Sequence, residues 1–244
     1  MKRSINYFIY KAFSLVFLFS FNLSMGQTPS PEETLTRAFT RSKTQKTQIP
    51  LQEVTASLEK AFQKEDNRFN RYWLSFGLYY QALFADSLED KATAENLIDR
   101  AITLLKPLAN DAESQALLSL QLGYSTRFKS YWSMISLGRA AYMHAEKAVA
   151  LAPDNLRANL ALALTDFYTP KMFGGGKKVV PHLTKALQAP SPEASSQLPR
   201  WGKPMVYELL VKYYQKNDQD LTAQNYLNQG LSEFPESELL LSLQ

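Results

Sequence analysis

Gly174, Gly175 and Gly176 run directly into Lys177 and Lys178, a grouping of backbone N–H groups and ammonium charges that could cradle a phosphate. The Walker arrangement asks for more: a Gly, four residues, then Gly-Lys-Ser/Thr behind a strand. Val179 stands where the hydroxyl is needed, and no strand pattern precedes the run. The three glycines therefore read as a tight turn whose backbone angles only Gly adopts easily. His144 and His182 are the two histidines, and there is no Cys. A zinc site needs three or four donors, so metal binding is not expected. No serine nucleophile motif is present, and carboxylates such as Asp154 and Asp218 are scattered as caps or solvated faces. No acid–base set can be assembled, so the chain is expected to be non-catalytic and without cofactor.

What the residues offer instead is packing. A phrase recurs in which a small residue, an apolar residue four on and a small residue three beyond that precede a Pro: Ala141, Ala145, Ala148, Pro153, and again Ala223, Leu227, Gly230, Pro235. Such spacing places small side chains on one helix face, where a second helix can approach closely. The Pro ends the helix. First-helix partners precede each phrase. Trp73, Phe76, Gly77 and Tyr80 pair with Ala94, Ile98, Ala101 and Pro107. Leu122 and Gly123 pair with the Ala141 phrase, and Leu162 and Ala163 with Val179, Leu183, Ala186 and Pro190. The expected fold is all-α, a solenoid of helical hairpins with extended tips in all but the last unit.

The last unit, Tyr207, Leu210, Val211 and Tyr214 followed by Ala223, Leu227, Gly230 and Pro235, resembles the tetratricopeptide repeat. The string from Ala145 to Asn155 is similar to the junction between two such repeats. The resemblance implies a concave inner face built from first helices, used to hold a protein or peptide. The helix phase puts Arg71, Leu74 and Leu78 there from the first full unit, and Tyr124 and Arg127 from the second. The third contributes Arg157, Leu160, Leu164 and Phe167, and the last Lys212. An apolar groove edged by cations suits an acidic or C-terminal peptide, or an amphiphilic carboxylate. The run Pro170-Lys171-Met172-Phe173-Gly174-Gly175-Gly176-Lys177, with His182, Leu183, Ala186 and Leu187 behind it, also looks like a segment of the periplasmic T component of TRAP transporters. That narrower resemblance implies the alternative of a ligand-binding accessory protein in transport.

The first 26 residues have the layout of a secretory signal peptide. Lys2, Arg3 and Lys11 precede an apolar run from Ala12 to Leu23, and small residues flank an expected cut before Gln27. The run is short for a spanning helix, which needs about 20 residues, so a retained anchor is the lesser expectation. With those three cations removed, a net charge of +4 falls to +1, and a basic surface for nucleic acid is not supported. Without Cys, packing alone must hold a secreted fold, and a lipid tether on an N-terminal Cys is excluded. The expected address is the periplasm, the expected partner a cell-envelope protein or peptide, and an oligomer is compatible. Residues 27–50 read as a flexible lead-in with one short helix near Leu35, Ala38 and Phe39, and the array is expected over 51–244. One long helix is expected from Glu113 to Trp132, its end forming an aromatic ridge with Tyr124, Phe128, Tyr131 and Trp132. The Pro-rich loop from Pro190 to Pro204 is expected to cross a neighbouring helix pair with Trp201 buried.

Overall fold

The computed structural model describes residues 29–193 and 197–244. The signal-peptide reading of 1–26 lies outside these residues. Among the described residues all regular structure is helical, and no helix is long and apolar enough to cross a membrane.

Among these residues five hairpins follow one another along the chain. They are α1 (Pro31–Gln45) with α2 (Ile49–Lys64), α3 (Arg68–Ser87) with α4 (Lys91–Leu105), and α5 (Ala112–Ser125) with α6 (Tyr131–Leu151). Then come α7 (Leu156–Tyr168) with α8 (Val179–Gln188), α9 (Lys203–Lys216) with α10 (Asp220–Glu233), and a short closing helix, α11 (Glu238–Leu241). Consecutive first helices also touch: α1 meets α3, α5 meets α7, and α7 meets α9. The starts are set by local chemistry. Asn67, Asp111 and Asn155 each accept a backbone N–H three residues on, satisfying a donor the helix leaves open.

The small-residue seams pack as the spacing requires. Ala94, Ala101, Ala145, Ala148 and Ala186 are fully buried. At Gly230 the approach is closer still: a Cβ there would lie 2.9 Å from Leu240 Cδ1 and 3.0 Å from Tyr207 Cβ. Large side chains such as Leu105, Leu117, Leu183 and Leu210 fill the space between seams.

Two expectations are corrected. Residues 31–45, read as part of a flexible lead-in, form a full helix that supplies the first half of the first hairpin. Its core stripe is thin, with only Leu35, Ala38 and Ser42 buried, so the polar remainder hides it. The single helix expected from Glu113 to Trp132 is broken. α5 stops at Ser125, a 3₁₀ turn holds Thr126–Phe128, and α6 begins at Tyr131. The Ser125 and Thr126 hydroxyls donate back to the carbonyls of Leu122 and Gly123, at 2.8 and 2.6 Å, in competition with a continuing ladder.

Leu35 is fully buried against the α3 core. Leu35→Ala should therefore lower unfolding stability by about 2–5 kcal/mol, read from the urea midpoint. A midpoint equal to that of the parent would mean α1 is not docked.

Candidate functional site

The loop between α8 and α9 determines what the inner face can offer. Pro190, Pro192 and Pro199 keep its described residues out of helix. Gly202, at φ 116°, turns it into α9 at a point where a Cβ would lie 2.7 Å from Leu156 Cδ2. This turn lays Trp201 across the first helices. Its ring stacks on Phe76 with centroids 5.2 Å apart. Its Nε1 donates to the Tyr72 hydroxyl at 3.0 Å. It packs against three of the molecule's apolar clusters at once. The expected crossing is observed, although Trp201 is partly rather than wholly buried.

Beneath it lies a buried ion pair. Arg157 donates from Nε and Nη2 to the Glu113 carboxylate at 2.5 and 2.8 Å, and from Nη1 to the Trp201 carbonyl at 2.9 Å. Asn155 donates to the same carboxylate at 2.6 Å. Burial opposes the Arg157 charge, but the Glu113 hydrogen bonds and charge outweigh it and hold its pKa above the ordinary arginine value. Burial, with the Glu113 charge adding to it, pushes the Tyr72 hydroxyl well up, so it stays a neutral acceptor for Trp201. The loop then reaches α1: the Arg200 backbone donates to Glu32 at 2.7 Å, and its guanidinium to Glu33 at 3.0 Å. Burial raises the Glu32 pKa against the pull of Arg200 and Arg157.

The loop is thus a strap over the N-terminal halves of the first helices. The other halves, toward the α3–α4, α5–α6, α7–α8 and α9–α10 tips, carry a second surface. Tyr124 donates to Asp86 at 3.0 Å, Arg127 pairs with the same carboxylate at 3.1 Å, and the Arg127 guanidinium sits 5.8 Å from the Tyr124 ring. Lys216 lies 4.6 Å from the Phe167 ring. Lys212 pairs with Glu208 one turn back. Tyr124, Leu164, Phe167, Lys212 and Tyr213 are half-buried here, and Arg127 is exposed.

The expected groove is therefore split. Tyr124, Arg127, Leu164, Phe167 and Lys212 remain available. Leu74, Leu78, Leu160 and Arg157 are corrected: all are buried in the helix interfaces, with at most 3% exposure. An inner helix meets neighbours on two sides, so more of its circumference is covered than a single seam implies. Arg71 is corrected too. It pairs with Asp66, lies 5.3 Å from the Phe62 ring of α2, and donates to the Leu104 carbonyl of α4 at 3.5 Å, facing away from the strap. Glu113 and Glu32 go unseen in the sequence. Neither stands out locally, because each acts with a partner far along the chain.

The phosphate-like run holds its own anion. Gly174 and Gly176 take left-handed angles, but the N–H of Gly176 donates to the Asp166 carbonyl at 3.1 Å and that of Lys178 to the Asp166 carboxylate at 2.6 Å. His144 Nδ1 donates to Gln115 Oε1 at 2.7 Å and His182 Nδ1 to Asn159 Oδ1 at 2.8 Å, both structural contacts within a hairpin. Burial lowers both imidazole pKa values. Among the described residues no group of three or more His, Cys, Asp or Glu could hold a metal ion.

No family model and no curated protein matches the chain. Solved structures do. A tetratricopeptide-repeat protein from Thermus thermophilus, TTC0263, superposes with a TM-score of 0.57 at 14% identity, covering 85% of this chain and 95% of that one. The HusA haemophore from Porphyromonas gingivalis superposes with a TM-score of 0.54 at 21% identity, covering 79% and 96%. The chain has the tetratricopeptide-type helical-hairpin fold. The resemblance to the TRAP T component gains no support beyond the segment that suggested it.

Removing Arg157 would strand a buried carboxylate. Arg157→Met should cost about 3–5 kcal/mol of stability, and Glu113→Gln in the same chain should restore part of it. Equal stability of parent and Arg157→Met would contradict the pair. Because the Glu32 pKa is raised on folding, its contribution is complete below the ordinary glutamate value and is lost as pH rises through the raised one. Protection factors of the strap amides, which are exchange rates corrected for the intrinsic pH dependence of exchange, should therefore be larger on the acid side of that window, and the difference should vanish in Glu32→Gln.

Proposed function

We propose that this protein is a non-catalytic binding protein of the cell envelope, holding an acidic or C-terminal peptide of another protein on the tip-side half of its inner face. The observation that carries this reading is the alternation of rings with cations there, Tyr124 with Arg127 and Phe167 with Lys216, beside Lys212. Rings and aliphatic surface take a peptide's apolar side chains, while the cations meet carboxylates. The envelope address rests on the signal-like start and the absence of Cys. The hairpin-solenoid fold suits such a role, since the half that the strap leaves uncovered runs across successive first helices.

A second reading takes the same surface as a seat for a flat apolar acid. The rings of Tyr124, Phe167 and Tyr213 favour it, with Lys216 beside Phe167 to meet a carboxylate and with Arg127 and Lys212 able to share their charge between Asp86 or Glu208 and the ligand. HusA, one of the structural neighbours, is described as a haemophore.

Fluorescence anisotropy with a labelled acidic C-terminal peptide tests the first reading, and absorbance titration with haem the second. Under the first, the combined Arg127→Glu and Lys212→Glu changes should weaken peptide binding by about tenfold or more, since a reversed charge pair costs several kcal/mol. An unchanged Kd removes the peptide reading. A peptide that never binds, with haem bound and released by the same changes, replaces it with the second.

A further inference from the structure

The hairpin tips differ from one another in a way the inner face does not explain. The α3–α4 tip carries one exposed apolar residue, Leu88, among Asp86, Glu89 and Asp90. The α9–α10 tip carries Leu221 beside Asp218 and Asp220. The two central tips are the opposite. No acidic residue occurs from 114 to 145 or from 167 to 192. Around the α5–α6 tip, Tyr131 is 64% exposed, Trp132 79% and Ile135 50%. Around the α7–α8 tip, Tyr168 is 69% exposed, Met172 83% and Phe173 73%. Arg139, Lys171, Lys177 and Lys185 lie in these two stretches and make no ion pair among the described residues.

The two tips are neighbours. Lys178, at the start of α8, donates to the Tyr142 hydroxyl of α6 at 2.5 Å and to Glu146 at 3.0 Å. From Tyr142, α6 runs on to Tyr131, about 16 Å along its axis at the usual rise per residue. Its first turns therefore overhang the next hairpin and carry their rings outward. Projecting rings do not form a cleft, so they do not suit a bound peptide. They suit a flat, deformable surface into which they can sink. Trp and Tyr settle at the boundary between lipid headgroups and acyl chains. Unpaired Lys and Arg beside them favour negative headgroups.

We propose that the α5–α6 and α7–α8 tips dock this protein on an anionic phospholipid surface. Trp132, Met172 and Phe173 enter the headgroup boundary, and Lys171 and Lys177 meet the lipid phosphates. The α3–α4 and α9–α10 tips, with their carboxylates, set the limits of the contact.

Vesicle sedimentation tests this with the chain from Gln27 onward, which carries every described helix. Vesicles of phosphatidylcholine alone are compared with vesicles that also contain phosphatidylglycerol. The parent should sediment with the anionic vesicles, with a blue shift in tryptophan emission that Trp132→Phe removes, and should sediment far less with the neutral ones. The Lys171→Glu and Lys177→Glu double variant should lower anionic partitioning by about tenfold or more, as loss of two surface cations predicts. The Trp132→Ser and Phe173→Ser double variant should lower it as well. All four side chains are exposed, so far-UV circular dichroism should match the parent. Failure of the parent to sediment, or unchanged partitioning of both double variants, overturns the proposal. So does capture of an acidic amphipathic peptide by these tips without any vesicle binding.

Discussion

The Arg157–Glu113 pair is the contact on which the rest of the arrangement depends. Burying two charges is costly unless each finds further partners. Here each does: the carboxylate also accepts from Asn155, and the guanidinium also donates to the Trp201 carbonyl. The pair ties α5 to α7, and its third arm ties both to the strap. An apolar contact could supply similar stability, but it would not dictate where the Trp201 backbone must lie. The directionality of the guanidinium does.

From that point the surface divides. Trp201 stacks on Phe76 and Arg200 reaches the start of α1, so the strap closes one half of the inner face over its whole width. The half nearer the tips stays open and keeps its rings and cations. Beyond it, the central tips project past the packed array, and the carboxylates of the α3–α4 and α9–α10 tips bracket them. The proposed inner-face binding and the proposed tip docking use separate residues, so the two proposals are compatible in one molecule.

Much of the fold is legible in the sequence, for a physical reason. A helix seam needs small side chains at fixed intervals, so Ala141, Ala145 and Ala148 announce both a helix and the face it buries. α1 is harder to read. Its buried stripe is short, yet its start is marked by Ser30, Pro31 and Glu33, a cap whose hydroxyl accepts the Glu33 N–H. The break after Ser125 is harder again, because it depends on two hydroxyls choosing nearby carbonyls. The inner face is half legible. Tyr124, Phe167 and Lys212, which helix phase assigns to that face, stay half-buried because they sit late in their helices, beyond the strap. It misplaces Leu74, Leu160 and Arg157 because burial there comes from neighbours and a loop far away in the chain. Trp201 could be expected to cross a helix pair, but its partners Tyr72 and Arg157 could not be named before the chain was folded.

Trp201 resting on Phe76 and Tyr72 is what closes half of the inner face, and proton NMR of the chain from Gln27 onward tests it directly. Nuclear Overhauser contacts should connect the Trp201 indole to the Phe76 and Tyr72 rings, and the indole N–H should exchange slowly with solvent. Absence of those contacts, together with solvent-rate exchange at that N–H, would contradict the account.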